Sequence, residues 1–169
     1  MSFFLVQELK DVLEKHFADT AFRDPGKDEV FIAPRFFINS LPPKRKHGKD
    51  NEDFPFVLVR ATGGRDEQEY AEISTQIFCG IYTAEGITAG GNEIQNMVDR
   101  IRTYLLTNRV LAKKFELQLP LTWSLGTDEE RNQPHPYYIG TITATWHAVH
   151  AAVLQSIAQE IEAYGSGLQ

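Results

Sequence analysis

Apolar and polar residues alternate most regularly from Phe115 to Leu125. Phe115, Leu117, Leu119, Leu121, Trp123 and Leu125 fall on one side, and Glu116, Gln118, Thr122 and Ser124 on the other. A period of two is that of a half-buried strand, so this segment belongs to a sheet that needs one covering layer. Tyr137 to Val149, rich in threonine and aromatic residues, reads as a second strand, and the polar stretch Gly126 to Pro136 joins the two as a wide hairpin. Ile73, Thr75, Ile77, Cys79 and Ile81 alternate with Ser74, Gln76, Phe78, Gly80 and Tyr82. This run pairs with the short apolar strand Phe54 to Arg60 in a first hairpin, with Gly63-Gly64 as its turn.

The helical period appears three times. Leu5, Leu9, Val12, Leu13, His16 and Phe17 form the apolar stripe of an N-terminal helix ending near Ala18 to Asp19, with Glu8, Lys10, Asp11, Glu14 and Lys15 on its other face. The turn residues Arg23 to Asp28 follow, then a short strand over Val30 to Ala33, which Pro34 confines to an edge or stops early. The second helix starts after Gly90-Gly91, where Asn92 and Gln95 have the spacing of a capping box, and buries Ile94, Met97, Val98, Ile101, Tyr104 and Leu105. Glu93 near its start, and Arg109, Lys113 and Lys114 beyond its end, have the signs that the helix dipole favours. The third helix carries Val153, Leu154, Ile157, Ala158 and Ile161 on one face and stops at Gly165-Ser166-Gly167.

Hairpins separated by a helix predict an α+β fold: a mostly antiparallel sheet of four to five strands with helices packed on one face. Its 169 residues suit one core, so the expected organisation is a single domain over 1–150 and a C-terminal helical extension over 151–169. Within the domain, residues 41–53 lack apolar periodicity and run from a basic block into an acidic one, which predicts a mobile charged loop.

Composition narrows the function classes. No apolar run approaches the roughly 18 residues that would span a bilayer, and the start Met1-Ser2-Phe3-Phe4-Leu5 lacks the basic region of a secretory signal, so a cytoplasmic protein is expected. Cys79 is the one cysteine, which rules out an intrachain disulfide. Seventeen basic against twenty-three acidic side chains give a net charge of −6, which opposes unspecific binding to nucleic acid.

Candidate chemistry is sparse. His147 and His150 point to opposite faces of a strand, and with His135 they find no cysteine or carboxylate at ligand spacing, so no metal and no cofactor is expected. Cys79 lies on the core face as a small hydrophobe. Gly90-Gly91-Asn92 lacks the spaced glycines and the lysine of a phosphate loop and reads as helix capping. Lys44, Arg45, Lys46 and Lys49 form a small positive field that can meet phosphates, although Asp50, Glu52 and Asp53 screen it and a solvated loop explains it as well. Thr141, Thr143 and Thr145, with Tyr138 and Trp146 opposite them, suggest a strand covered on both faces, as an oligomer contact would do.

Three segments carry a resemblance: Phe54-Pro55-Phe56-Val57-Leu58-Val59-Arg60 with the long alternating strand after it, Gly90-Gly91-Asn92-Glu93-Ile94-Gln95-Asn96-Met97-Val98-Asp99-Arg100-Ile101, and the paired strands ending Ala144-Thr145-Trp146. In element order over Met1 to His150 the chain resembles the tail-terminator proteins of long-tailed bacteriophages. The resemblance implies a structural protein of a phage or prophage, not an enzyme, whose subunits close into a hexameric ring. That ring would cap the tail tube, end its polymerisation and join tail to head.

Implied partners are further copies of the chain, the tail tube protein and a head completion or neck protein, with no membrane and with DNA only passing through the ring. The implied location is the host cytoplasm during assembly and then the tail-head joint of the virion. On this reading Lys44, Arg45, Lys46 and Lys49 face a partner or DNA, and Tyr138, Thr141, Thr143, Trp146, Arg100 and Tyr104 contribute to the subunit contact. The charged loop and the segment after Ala151 depart from the family pattern. The alternatives are another phage neck, connector or head completion protein acting on the capsid side, and a small metal-dependent hydrolase using His135, His147 and His150.

Overall fold

The computed structural model describes residues 1–126 and 135–149, except residues 28, 45 and 47 and the side chain of residue 87. Helix α1, Ser2–His16, forms where the first apolar stripe predicts it: Leu5, Val6, Leu9 and Leu13 are all buried. Lys10 and Glu14, one turn apart on its outer side, form an ion pair at 2.6 Å. The helix stops at Phe17, whose amide donates to Leu13 O at 3.0 Å and whose ring enters the core. Strand β1, Phe22–Arg23, then pairs antiparallel with β2, Phe31–Ile32, in a small ribbon of their own.

The main sheet is built from β3 (Arg35–Ile38), β4 (Phe56–Asp66), β5 (Tyr70–Tyr82), β6 (Val110–Leu111), β7 (Phe115–Leu125) and β8 (Tyr137–Val149), with α2 (Ile87–Thr107) between β5 and β6. Its order is β3-β4-β5-β8-β7-β6; β3 runs parallel to β4, and every other neighbouring pair is antiparallel. The fold is therefore α+β, with six strands in the sheet where four to five are expected. The expected strand at 30–33 becomes β2 of the separate ribbon, and the chain enters the main sheet only after Pro34. The expected C-terminal helix at 151–169 lies outside the described residues.

Two local expectations are overturned. Gly63-Gly64 is not the turn between β4 and β5: both glycines pair within the ladder, and the irregularity lies between Ala61 and Gly63. A glycine inside a strand often marks a bulge in this way. Asn92 is not the cap of α2, which begins six residues earlier, after Gly86, a residue at φ 125° that suits glycine, with no side-chain cap. The earlier start works because Gly90 lies flat on the Tyr138 ring, where a Cβ would come within 2.2 Å of the ring.

Both helices cover one sheet face. α1 lies over β3 and β4, and α2 over β5, β8 and β7. Their apolar stripes meet Val57, Val59, Ile77, Cys79, Ile81, Ile142, Ala144 and Trp146 in one continuous core. Fully burying each Leu, Ile or Val here contributes roughly 1.5–3 kcal/mol. α2 sits close to the strands because Gly140 has no side chain where Val98 Cγ2 arrives. The indole of Trp146 donates from Nε1 to Thr75 Oγ1 at 3.0 Å, and that hydroxyl donates to Ala144 O at 3.2 Å, so the largest core side chain has its polar atom paired.

Candidate functional site

Strand alternation sends half of the side chains of β4, β5, β7 and β8 away from the helices. This second face falls into three zones. At one end Phe54, Phe56 and Leu58 pack with Phe37, Leu41, Phe78, Tyr82, Tyr137 and Ile139 into a separate aromatic cluster. Ring centroids lie 5.0 Å apart for Phe54–Phe56, 5.5 Å for Phe54–Tyr137 and 5.3 Å for Tyr82–Tyr137. In the middle, Ser74, Gln76, Gln118, Thr141, Thr143 and Thr145 form a half-buried hydroxyl and amide field. At the far end His147 stacks on Tyr70 at 4.2 Å and meets Glu72 Oε2 at 3.6 Å, while Arg65 approaches the other Glu72 oxygen at 3.5 Å.

No element among the described residues lies across the central field. The charged loop ends in Phe54, and through Leu41 and Phe54 it borders only the aromatic end. Within the loop Lys44 Nζ meets Asp50 at 2.6 Å, and each charge stabilises the other: the ammonium pKa is raised and the carboxyl pKa lowered, foremost through their shared hydrogen bond. Arg35 donates to the backbone carbonyl of Glu52 beside them. Lys46 and Lys49 are exposed, and Arg45 lies outside the described residues. Lys44 is thus committed to Asp50 rather than joining a bare cationic cluster.

The six residues expected at a subunit contact are not brought together. Tyr138 and Trp146 are fully buried beneath α2, so they serve the core and are not available to a neighbour. The Tyr138 hydroxyl donates to Gly86 O at 3.2 Å and meets His135 Nδ1 at 2.9 Å, and burial pushes its pKa up. Arg100 and Tyr104 lie in the helix layer, where Arg100 Nε donates to Asn96 Oδ1 at 3.1 Å and Tyr104 stacks on His16 at 4.7 Å. Thr141 and Thr143 point the opposite way, into the open field. Threonines on a strand and aromatics next to them face opposite sides of the sheet, which is why no single patch carries all six.

The chain matches no protein-family model and no curated protein. Site geometry therefore has to carry the functional reading. Among the described residues no three His, Cys, Asp or Glu side chains gather as a metal site would require, and His150 lies outside them. Cys79 is wholly buried, and burial raises its thiol pKa far above the ordinary range. No helix among the described residues is long and apolar enough to cross a membrane.

What sequence reasoning misses is the sheet's margin. β3 pairs with Phe56 to Val59 of β4, and β6 with Phe115 and Glu116 of β7, so β4 and β7 are only partly paired on their outer sides. Pro120, inside an otherwise alternating run, is the signal that β7 lies at the edge. The ladder there is irregular between Gln118 and Thr122: three β7 residues face Ala144 alone. Two extra residues preserve the parity of the strand, so Trp123 still faces the helix side and stacks under the Arg102 guanidinium at 4.2 Å.

Proposed function

We propose that this chain is a structural protein of a long-tailed phage or prophage. It caps the tail tube, ends tube growth and joins the tail to the head as a closed ring of identical subunits. The observation that carries this reading is the open sheet face. A two-layer domain with one face sealed by α1 and α2 presents a broad half-buried surface of hydroxyls, amides and tyrosines on the other. Such a surface suits shape-matched docking through tyrosines with a polar rim.

The resemblance in element order to tail-terminator proteins supplies the choice of partner. On this reading the work is binding, and the tube end and a neck protein are the surfaces bound. The test uses the tube protein encoded in the same genome. Added to polymerising tube protein, the purified chain is expected to shorten the tubes and to appear at one tube end by electron microscopy. Tubes of unchanged length with bare ends overturn the reading. Attachment to tail-less heads instead of tubes moves the protein to the capsid side of the joint.

A further inference from the structure

The partly paired strands β4 and β7 leave free edges in diagonal positions. On β4, residues Arg60 to Arg65 run past the end of β3; on β7, residues Gln118 to Leu125 run past β6 toward the opposite end of the sheet. Neither stretch has a strand partner on its outer side among the described residues. An edge of this kind is a template for another strand unless it is covered. Exposed apolar side chains flank both edges. Leu119 and Trp123, on β7, are 57% and 44% exposed. Phe3 and Phe4 project from the first turn of α1, which lies by the other edge, where Met1 and Ser2 line a hollow with Ala61, Gly63 and Gly64.

We infer that the free half of β4 in one copy receives the free half of β7 from the next copy, so that the sheet continues from subunit to subunit. This rests on the ring reading above and names the contact that would build the ring. Four features favour a second copy of this chain as the occupant. β7 runs antiparallel to β4 within the sheet, so copies that keep the sheet direction meet in the antiparallel pairing that edge strands favour.

A stagger of two residues, about 7 Å at the rise of a strand, sets Gln118 opposite Arg65. In that position β6 of the newcomer lies beyond the end of β4, the pairing stops before Leu125, where β3 begins, and an even offset keeps open face on open face. The β4 half carries Arg60 and Arg65, and the free half of β7, Gln118 to Leu125, carries no cation to repel them. Finally, one contact type fills both edges of every copy, which is the head-to-tail arrangement that closes into rings. Pro120 and the irregularity beside it restrict the registers available and so favour one defined neighbour over indiscriminate stacking.

The experiment pairs light scattering with cysteine cross-linking in the full chain, whose own Cys79 is buried. A variant with both Arg65→Cys and Gln118→Cys is expected to give a ladder of disulfide-linked species on mild oxidation. Each single variant alone should give none, and an equimolar mixture of the two singles should give dimers only. Leu119→Lys with Trp123→Lys should shift the mass from the oligomer to the 19.2 kDa monomer while circular dichroism stays unchanged. If the native chain is an oligomer but the double variant gives no ladder, the edge contact is wrong and the ring reading stands. Cross-linking by either single variant shows two-fold pairing and overturns the head-to-tail contact. A native chain that stays monomeric at all concentrations, with and without tubes, overturns both.

Discussion

The same strands build both faces of the six-stranded sheet, residue by residue in alternation, yet the two faces do different work. On the helix side, Ile77, Cys79, Ile81, Ile142 and Trp146 are sealed from water; on the other, their direct neighbours Gln76, Phe78, Tyr82, Thr141 and His147 are half-buried. Apolar area removed from water drives folding, so the stability of the domain concentrates on the helix side. The open side keeps enough shape to be rigid and enough polarity to stay solvated. A change on one face is therefore expected to alter folding, and a change on the other to alter docking.

The sharpest break of this comparison uses two adjacent residues. Trp146→Ala removes the largest buried side chain and leaves the Thr75 hydroxyl without its indole donor, so a loss of about 3–5 kcal/mol is expected. Thr145→Ala, one residue away and on the open side, should cost less than about 0.5 kcal/mol. Urea unfolding of both variants measures the contrast. Equal losses would mean that the open field is a second core.

The periodicities made most of this legible beforehand. The stripe of α2 and the alternation of β5 and β8 predict the buried set almost residue by residue, because burial on one face imposes a period that the sequence must obey; on β7 only Phe115 and Leu117 are buried, while Leu119 and Trp123 stay exposed beyond the helix cover. Short margins escaped for the opposite reason. β3, β6 and the β1–β2 ribbon are two to four residues long, too short for any period to show, and their places are set by partners far away in sequence. Two residues of the candidate interface show the same limit: Tyr138 and Trp146 look available in the sequence, and only the packing of α2 onto β8 shows that they are taken.

That packing gives the next test, smaller in effect. Gly140→Ala places a methyl carbon 2.4 Å from Val98 Cγ2, so α2 must shift or Val98 must turn, at a cost of about 1–3 kcal/mol. Shortening the facing residue, as in Gly140→Ala with Val98→Ala, should recover part of that loss even though Val98→Ala alone is destabilising. Thermal unfolding of the three variants would show the coupling. Strict additivity would mean that the helix does not rest on the strand at this point.

The smallest effect probes how the two helices meet away from the sheet. His16, at the end of α1, stacks on Tyr104 of α2 and lies near Arg100, and its pKa is lowered from the ordinary 6.5, first by burial of the ring against its neighbours and then by the Arg100 charge. Unfolding releases the ring from both, so the unfolded chain binds a proton more readily just below pH 6.5. Stability is then fully present above that pH and falls as the pH drops toward the folded-state value. Because the side chain is exposed, solvent screens most of this. The measurable quantity is the titration itself: by NMR, His16 should titrate below 6.5, and Arg100→Ala should move it part of the way back, the remaining depression being the share due to burial. An unmoved midpoint in Arg100→Ala would assign the whole shift to burial against Tyr104.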